Sequence, residues 1–407
     1  MTNNNNNTNS NSTPIINPYL SGVDRSRLDF DFERRCSVTL LKENVYACLT
    51  CGNFFVGRGV KTPANVHALE ETHTNQHKVF LRLEDGRAFC LPENYEILDK
   101  SLDDVRNVLK PKYEKKDAEE LKRKAIWAKS LDGTTEYLVG CVGLNAATMS
   151  SSGENQKAAR GVNAVVQALA RVDVLRDAFL LTKDASSDSF PYLMQKMWNR
   201  HNFRGHTSPD IFVRTLIKKL VVSASDARKT AAETLLSDPF TTMRHFLTFV
   251  VPKKLTDALF RGELLLIEQQ KKQPFTFVPL KLPDAPLFRD VMEKNAIPQV
   301  ALTELLKPYA LHSAPKYLLI AFTNRFSKNQ FTKEVAKNPT IVTFPVKNLK
   351  LAPRFAYDLI ANVDSSSKAT VRHVDGNWYE IDDLVVSEIL AQQVTLGEAY
   401  VQIYQRV

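Results

Sequence analysis

The chain of 407 residues carries 54 Lys and Arg against 45 Asp and Glu, a net charge of +9, with 43% hydrophobic residues. That length exceeds what one core usually serves, so two or three domains are expected, and the composition excludes a wholly disordered, fibrous or disulfide-scaffold protein. The basic excess suits a phosphate-rich partner without requiring one.

Residues 1–27 are expected as a disordered Asn-rich tail, because Met1–Thr13 holds seven Asn and almost no apolar side chain. The tail has neither the order of a signal peptide nor the arginines of a transit peptide, which points to the cytosol or nucleus. Apolar runs such as Phe246–Pro252 fall far short of the ~20 residues that span a bilayer, so no membrane contact is expected.

Residues 28–100 read as a small module in which Ser37–Leu41 and Val79–Leu83 alternate like strands around Cys and His. Residues 101–130 read as a basic helical linker, with nine Lys or Arg from Arg106 to Lys129 facing Glu114, Asp117, Glu119 and Glu120. A solvated helix face is the plain reading, and a surface for phosphates, snRNA included, or for an acidic protein is the functional one. In 131–407 helical patterns come first and strands last, the order of an α+β domain. One stripe, Val165, Leu169, Val172, Leu175 and Phe179, predicts a buried helix over 163–180. Helices are also expected at 209–220, 225–236 and 300–306, strands at 317–322, 340–344, 358–363, 378–381 and 400–404, and a tight hairpin at Asp375-Gly376.

The five cysteines, Cys36, Cys48, Cys51, Cys90 and Cys141, include one CxxC pair, which in a reducing compartment reads as metal binding before disulfides. Cys48 and Cys51 with His67 and either His73 or His77 make a tetrahedral Cys₂His₂ set, with His73 the compact choice and His77 the one next to an apolar strand. Four protein ligands leave no open position, so the zinc is expected to be structural.

Tyr46-Ala-Cys48-Leu-Thr-Cys51-Gly52, Gly57-Arg58-Gly59, His67 and His77-Lys-Val-Phe-Leu resemble the ubiquitin-binding zinc finger of ubiquitin-specific proteases. Gly143-Leu-Asn145, Asn163-Ala-Val-Val-Gln-Ala-Leu169, Arg325-Phe326, Lys337-Asn-Pro-Thr340, Tyr357-Asp-Leu-Ile-Ala361 and Trp378-Tyr-Glu-Ile-Asp382-Asp383 resemble the boxes of the protease domain itself. Phrases such as Phe89-Cys-Leu-Pro-Glu-Asn-Tyr-Glu-Ile97 and Thr395-Leu-Gly-Glu-Ala-Tyr-Val-Gln-Ile403 are similar to the family's catalytically inactive splicing branch.

The resemblance implies a zinc-finger module followed by a papain-like ubiquitin-specific protease fold. An active member needs a cysteine nucleophile at a helix start, a polar oxyanion donor and a His positioned by an acid. The resemblance puts the nucleophile position on Arg160, the oxyanion position on Ala146 and the general base on Ala369, and only the orienting acid survives, as Asp382. Residues 147–159 are expected as a polar insert over the former cleft. Cys141 is expected to be a core thiol and His373 a hairpin residue. The family's other zinc positions map onto Cys36, Thr39, Val56, Pro63 and an unpartnered Cys90, so one zinc ion is implied. Arg58, Tyr46 and Phe89 match only loosely the pocket that captures the ubiquitin carboxyl terminus.

The function implied is that of a non-enzymatic nuclear splicing component, a scaffold in the U4/U6.U5 tri-snRNP. Its expected partners are the large U5 scaffold protein and the helicase that unwinds U4/U6. A ubiquitin reader or residual deubiquitinase is the alternative.

Overall fold

In the computed structural model, residues 17–70, 77–146, 153–221, 226–283, 298–328, 335–352 and 355–407 are described. The chain divides into two units, residues 1–110 with 131–133 and residues 111–130 with 134–407.

The first unit is built on a five-stranded antiparallel sheet in the order Phe54–Val56, Val45–Cys48, Val79–Arg82, Ala88–Cys90, Tyr95–Ile97. A short helix, Pro63–Leu69, begins with Pro at its first position, where the missing amide proton costs nothing. Its Ala64 and Ala68 join Tyr46, Phe55, Phe80, Phe89 and Leu91 in a small core. Gly52 closes the Cys48 turn at φ +78°, and a Cβ there would stand 2.2 Å from the Arg27 carbonyl oxygen.

Two expectations change here. Met1–Ile16 lie outside the described residues, but from Asn17 the expected tail is folded. The Asn17 side chain caps the turn Pro18–Gly22 and donates to the Tyr95 hydroxyl at 2.9 Å, while Leu28 and Phe30 are buried. Ser37–Leu41 is a turn, not a strand, because the amides of Val38 and Thr39 bend back to Cys36 Sγ at 3.4 Å each.

The stretch 101–130 holds two helices and a strand. Asp103–Leu109 belongs to the first unit, buries Val105, Val108 and Leu109, and is tied through Asp104 to Arg25 at 2.6 Å. Lys115–Arg123 belongs to the second unit and buries Ala118 and Leu121. Its basic residues are largely paired, Lys116 with Glu114, Lys122 with Asp177, Arg123 with Glu119 and Lys124 with Glu120.

In the second unit an eight-stranded sheet follows the order Phe277–Leu280, Tyr317–Phe322, Val401–Arg406, Phe355–Val363, Ala369–Arg372, Trp378–Asp382, Val385–Ile389, with Leu349–Ala352 added beside Phe355–Val363. Only the first pair is parallel. The strands expected at 317–322, 358–363, 378–381 and 400–404 are all present, and the Asp375-Gly376 hairpin closes with Gly376 at φ +88°. At 300–306 the chain is a strand, Gln299–Ala301, before the helix Leu302–Leu306, because Val300 pairs with Val342.

The predicted helix over 163–180 is two helices, Gly153–Leu169 and Asp173–Leu180, separated at an extended Val172. All five stripe residues are buried. The break lets Arg171 turn inward, where it donates to the Gly140 carbonyl and to Cys141 Sγ and lies 4.9 Å above Trp198. The first helix already begins at Gly153, so 153–159 of the expected polar insert are helical, and 147–152 lie outside the described residues.

Gly161 lies against the backbone at the end of the helix Asp226–Ser237. A Cβ at 161 would stand 2.2 Å from the Leu236 carbonyl oxygen, which is backbone and cannot step aside. Gly161→Ala is expected to lose about 1–3 kcal/mol despite its better helix propensity. Thermal unfolding of the variant measures this, and a melting point at or above the wild-type value would refute the packing argument.

Candidate metal centre and candidate cleft

The knuckle Cys48-Leu-Thr-Cys51 ends the strand Val45–Cys48, the helix Pro63–Leu69 delivers His67, and His77 precedes the strand Val79–Arg82. Ligand atoms of Cys48, Cys51, His67 and His77 all lie within 4.8 Å of one another. Cys51 Sγ is 3.5 Å from His67 Nε2, and His67 Nε2 is 2.9 Å from His77 Nδ1. Tetrahedral zinc bond lengths set sulfur and nitrogen ligands about 3.5 Å apart, so this donor set fits the ion. His67 Nδ1 faces Glu70 at 3.6 Å, which leaves Nε2 as the metal-facing nitrogen.

The hydrogen bond from Cys48 holds Cys51 toward the thiolate, with His67 adding to the effect, while the same bond and burial push the Cys48 thiol up. Bound zinc requires both as thiolates and would supply the positive charge that permits it. Of the two histidines left open by the sequence, His77 is in the cluster and His73 lies outside the described residues.

Cys36 and Cys90 stand apart from this cluster. Cys36 is fully buried in its own turn, and the Cys90 thiol faces Glu93 at 3.4 Å and is pushed up by burial. Arg58 stacks 4.2 Å over Phe89 and donates to Asn94 at 3.1 Å, and Tyr46 is buried in a T-shaped contact with Phe89, centroids 6.0 Å apart.

In the second unit the structure brings three of the four expected positions onto one constellation. Arg160 lies two turns inside the long helix, not at its start, so the helix dipole has little bearing on it. Its Nη2 meets Asp382 Oδ1 at 2.5 Å, and Lys368 stands 3.6 Å from the other oxygen of that carboxylate. One turn further, Asn163 donates to the Leu144 carbonyl at 2.8 Å, and Gln167 donates to the Val142 carbonyl at 2.7 Å. Ala146 is fully buried, and its amide donates at 2.7 Å to Asp383 Oδ1. Ala369 is also fully buried, opposite Ile381 in the sheet.

Asp383 was not singled out from the sequence, although its position beside Asp382 was a visible signal. It adopts φ +57° and its Oδ1 accepts from the Ala146 amide and, at 3.5 Å, from the Asn163 side chain. Burial raises its carboxyl above the usual range, and the bonds from Ala146 and the nearby Arg160 partly oppose this. A second unforeseen cluster centres on Glu398, which meets the buried Arg325 at 3.1 Å, Lys337 at 2.7 Å and the Ser365 hydroxyl at 2.7 Å.

The remaining candidates for chemistry are interior groups. Cys141 is buried under Arg171, and burial pushes its thiol up. His373 lies stacked on Trp198 with centroids 6.0 Å apart, its Nε2 3.2 Å from the Val139 carbonyl. Burial and the Arg171 charge hold it down at about 4.

The sequence signature of the Zn-finger in ubiquitin-hydrolases and other protein matches residues 35–102, and that of Ubiquitin carboxyl-terminal hydrolase matches residues 154–404. Ubiquitin carboxyl-terminal hydrolase 39 of Mus musculus is 35% identical over 96% of this chain and 80% of its own. Probable mRNA-splicing protein ubp10 of Schizosaccharomyces pombe is 30% identical over 97% of this chain and 90% of its own. The solved structure described as an essential yeast splicing factor is 26% identical, with a TM-score of 0.76 over 96% of this chain and 99% of that one. The chain therefore belongs to the ubiquitin carboxyl-terminal hydrolase family. Its first unit carries the zinc-finger domain of that family, which makes it a metal-binding protein.

Two outcomes follow from these sites. His77→Ala and Cys51→Ser should lose zinc and unfold the finger, whereas His73→Ala should keep the metal; zinc quantified by atomic absorption alongside melting would reverse the assignment if His73→Ala alone lost it. His373 titrates near 6.5 when unfolded and about 4 when folded, so the unfolded chain binds the extra proton between those values. Stability should fall as pH drops from 6.5 to 4, and His373→Gln should show a shallower decline over that window in thermal melts; an identical slope would contradict the buried neutral imidazole.

Proposed function

We propose that this protein is a nuclear pre-mRNA-splicing factor whose protease fold serves as a scaffold and cleaves nothing. The observation that carries the reading is the ion pair between Arg160 and Asp382. A guanidinium stays protonated and is no nucleophile. The acid that would orient a histidine is instead spent on Arg160, the methyl group of Ala369 moves no proton, and the amide of Ala146 is turned toward Asp383. None of the three requirements of acyl transfer is thus met at these positions.

The splicing assignment is supported by relatives along nearly the whole chain that carry that role in their names. Within the spliceosome the protein is assigned to the U4/U6.U5 tri-snRNP, held by contacts with the large U5 scaffold protein and the helicase that unwinds U4/U6. One structural zinc ion, on Cys48, Cys51, His67 and His77, holds the finger of residues 28–100. Ubiquitin capture is disfavoured, because Arg58 is already engaged by Phe89 and Asn94 of its own chain.

A tagged copy recovered from nuclear extract should bring down U4, U5 and U6 RNAs with tri-snRNP proteins, read by RNA blot and mass spectrometry. Enrichment of ubiquitin conjugates without those RNAs would sink the scaffold reading and favour a ubiquitin-binding one.

A further inference from the structure

Phe249 is 72% exposed, the most solvent-accessible aromatic side chain among the described residues. It projects from a π-helical turn, Phe246–Val250, that continues the helix Pro239–His245. Such turns are rare and recur at functional sites. The inner side of this one is firmly anchored. Phe246 is fully buried between Phe190 and Phe212, with centroids at 5.2 and 5.7 Å, and Leu247 is buried beside it. The Leu247 carbonyl accepts from the Thr256 hydroxyl at 3.0 Å, and the Val251 amide closes on the Phe246 carbonyl at 2.8 Å. The outward ring is therefore presented from a fixed backbone, with the His245 ring tilted beside it at 5.8 Å.

Cations flank this pair along the chain, Arg244 directly before His245 and Lys253 and Lys254 at the start of the following helix, Lys253–Phe260. Arg244, Lys253 and Lys254 are exposed, and among the described residues none of them forms an ion pair. The one carboxylate of that helix, Asp257, lies 3.7 Å from a fourth cation, Arg261. A protein-docking surface usually has an apolar centre of several side chains inside a polar rim. Here one exposed aromatic ring is flanked along the chain by unpaired cations, an arrangement suited to stacking one base and neutralising the phosphates on either side. The helix Lys115–Arg123, the other basic stretch, has most of its cations already paired within the chain.

We propose that Phe249, with His245 beside it, stacks a base of single-stranded RNA whose phosphates are held by Arg244, Lys253 and Lys254. A π-face and phosphate contacts discriminate little among bases, so the site reads strandedness rather than sequence.

The test uses the full chain and a fluorescein-labelled oligouridine of about 12 nucleotides, with anisotropy titrations over a range of salt. Phe249→Ala should weaken binding about tenfold or more, Phe249→Tyr should retain it, and both should melt like wild type because the ring is outside the core. Lys253→Glu with Lys254→Glu should flatten the log–log salt dependence by about 1.4, or roughly 0.7 per lost phosphate contact, while the double Arg variant keeps it. The inference fails if wild type does not bind the oligouridine, if Phe249→Ala binds as well as wild type, or if only charge reversal within 112–129 removes binding. It also fails if Phe249→Ala loses a tri-snRNP protein but no RNA affinity, which would reassign the surface to a protein. Any of these results leaves co-purification of U4, U5 and U6 intact, so this failure and failure of the scaffold reading are distinguishable.

Discussion

The long helix Gly153–Leu169 is the constraint on which the second unit depends. It carries three polar side chains at successive turns, the partly exposed Arg160 and the buried Asn163 and Gln167, and each is matched to a group on a different strand or loop. A misplaced helix would leave buried amides without partners at a cost of about 1–3 kcal/mol each, so these bonds set the helix register more strictly than apolar contact does. Gly161 completes the fit by letting the neighbouring helix approach at backbone distance. The segment Val142–Ala146 and the turn Asp382–Asp383 are thereby held around the same helix.

Magnitudes separate the chemical from the energetic role of Arg160. Its pair with Asp382 is more than a third exposed on the arginine side, and such pairs contribute about 0–1 kcal/mol. The fold does not need that bond to be stable. What the pair changes, under the proposed reading, is the chemistry of the constellation, because a guanidinium there offers no nucleophile and occupies the carboxylate proposed to steer a base. The finger has the opposite balance. Its cluster of Tyr46, Phe55, Phe80 and Phe89 packs beside the Cys and His ligands, where a bound metal would tie the knuckle, the short helix and the strand after His77 together.

Much of this architecture was legible in the sequence. The strands at 317–322 and 401–406 and the Asp375-Gly376 hairpin are dictated by local pattern, and the Cys-x-x-Cys knuckle by ligand spacing. What was not legible depends on long-range contacts. The stripe from Val165 to Phe179 kept its helical period across a break, because Arg171 gains the Gly140 carbonyl and Trp198 by leaving the helix, and neither partner is near it in sequence. Ser37–Leu41 alternates like a strand yet turns around a sulfur atom. The Asp383 bond to Ala146 spans 237 positions, and no window of sequence contains both.

The proposed absence of catalysis is the claim on which the account turns, and the most direct measurement of it is reaction of the purified full chain with ubiquitin carrying a carboxyl-terminal electrophile, followed by intact-mass analysis. The account predicts no covalent adduct at any of Cys36, Cys48, Cys51, Cys90 or Cys141, with the folded, zinc-loaded protein recovered unchanged. A stoichiometric ubiquitin adduct, at Cys141 above all, would contradict it and return the protein to the working proteases.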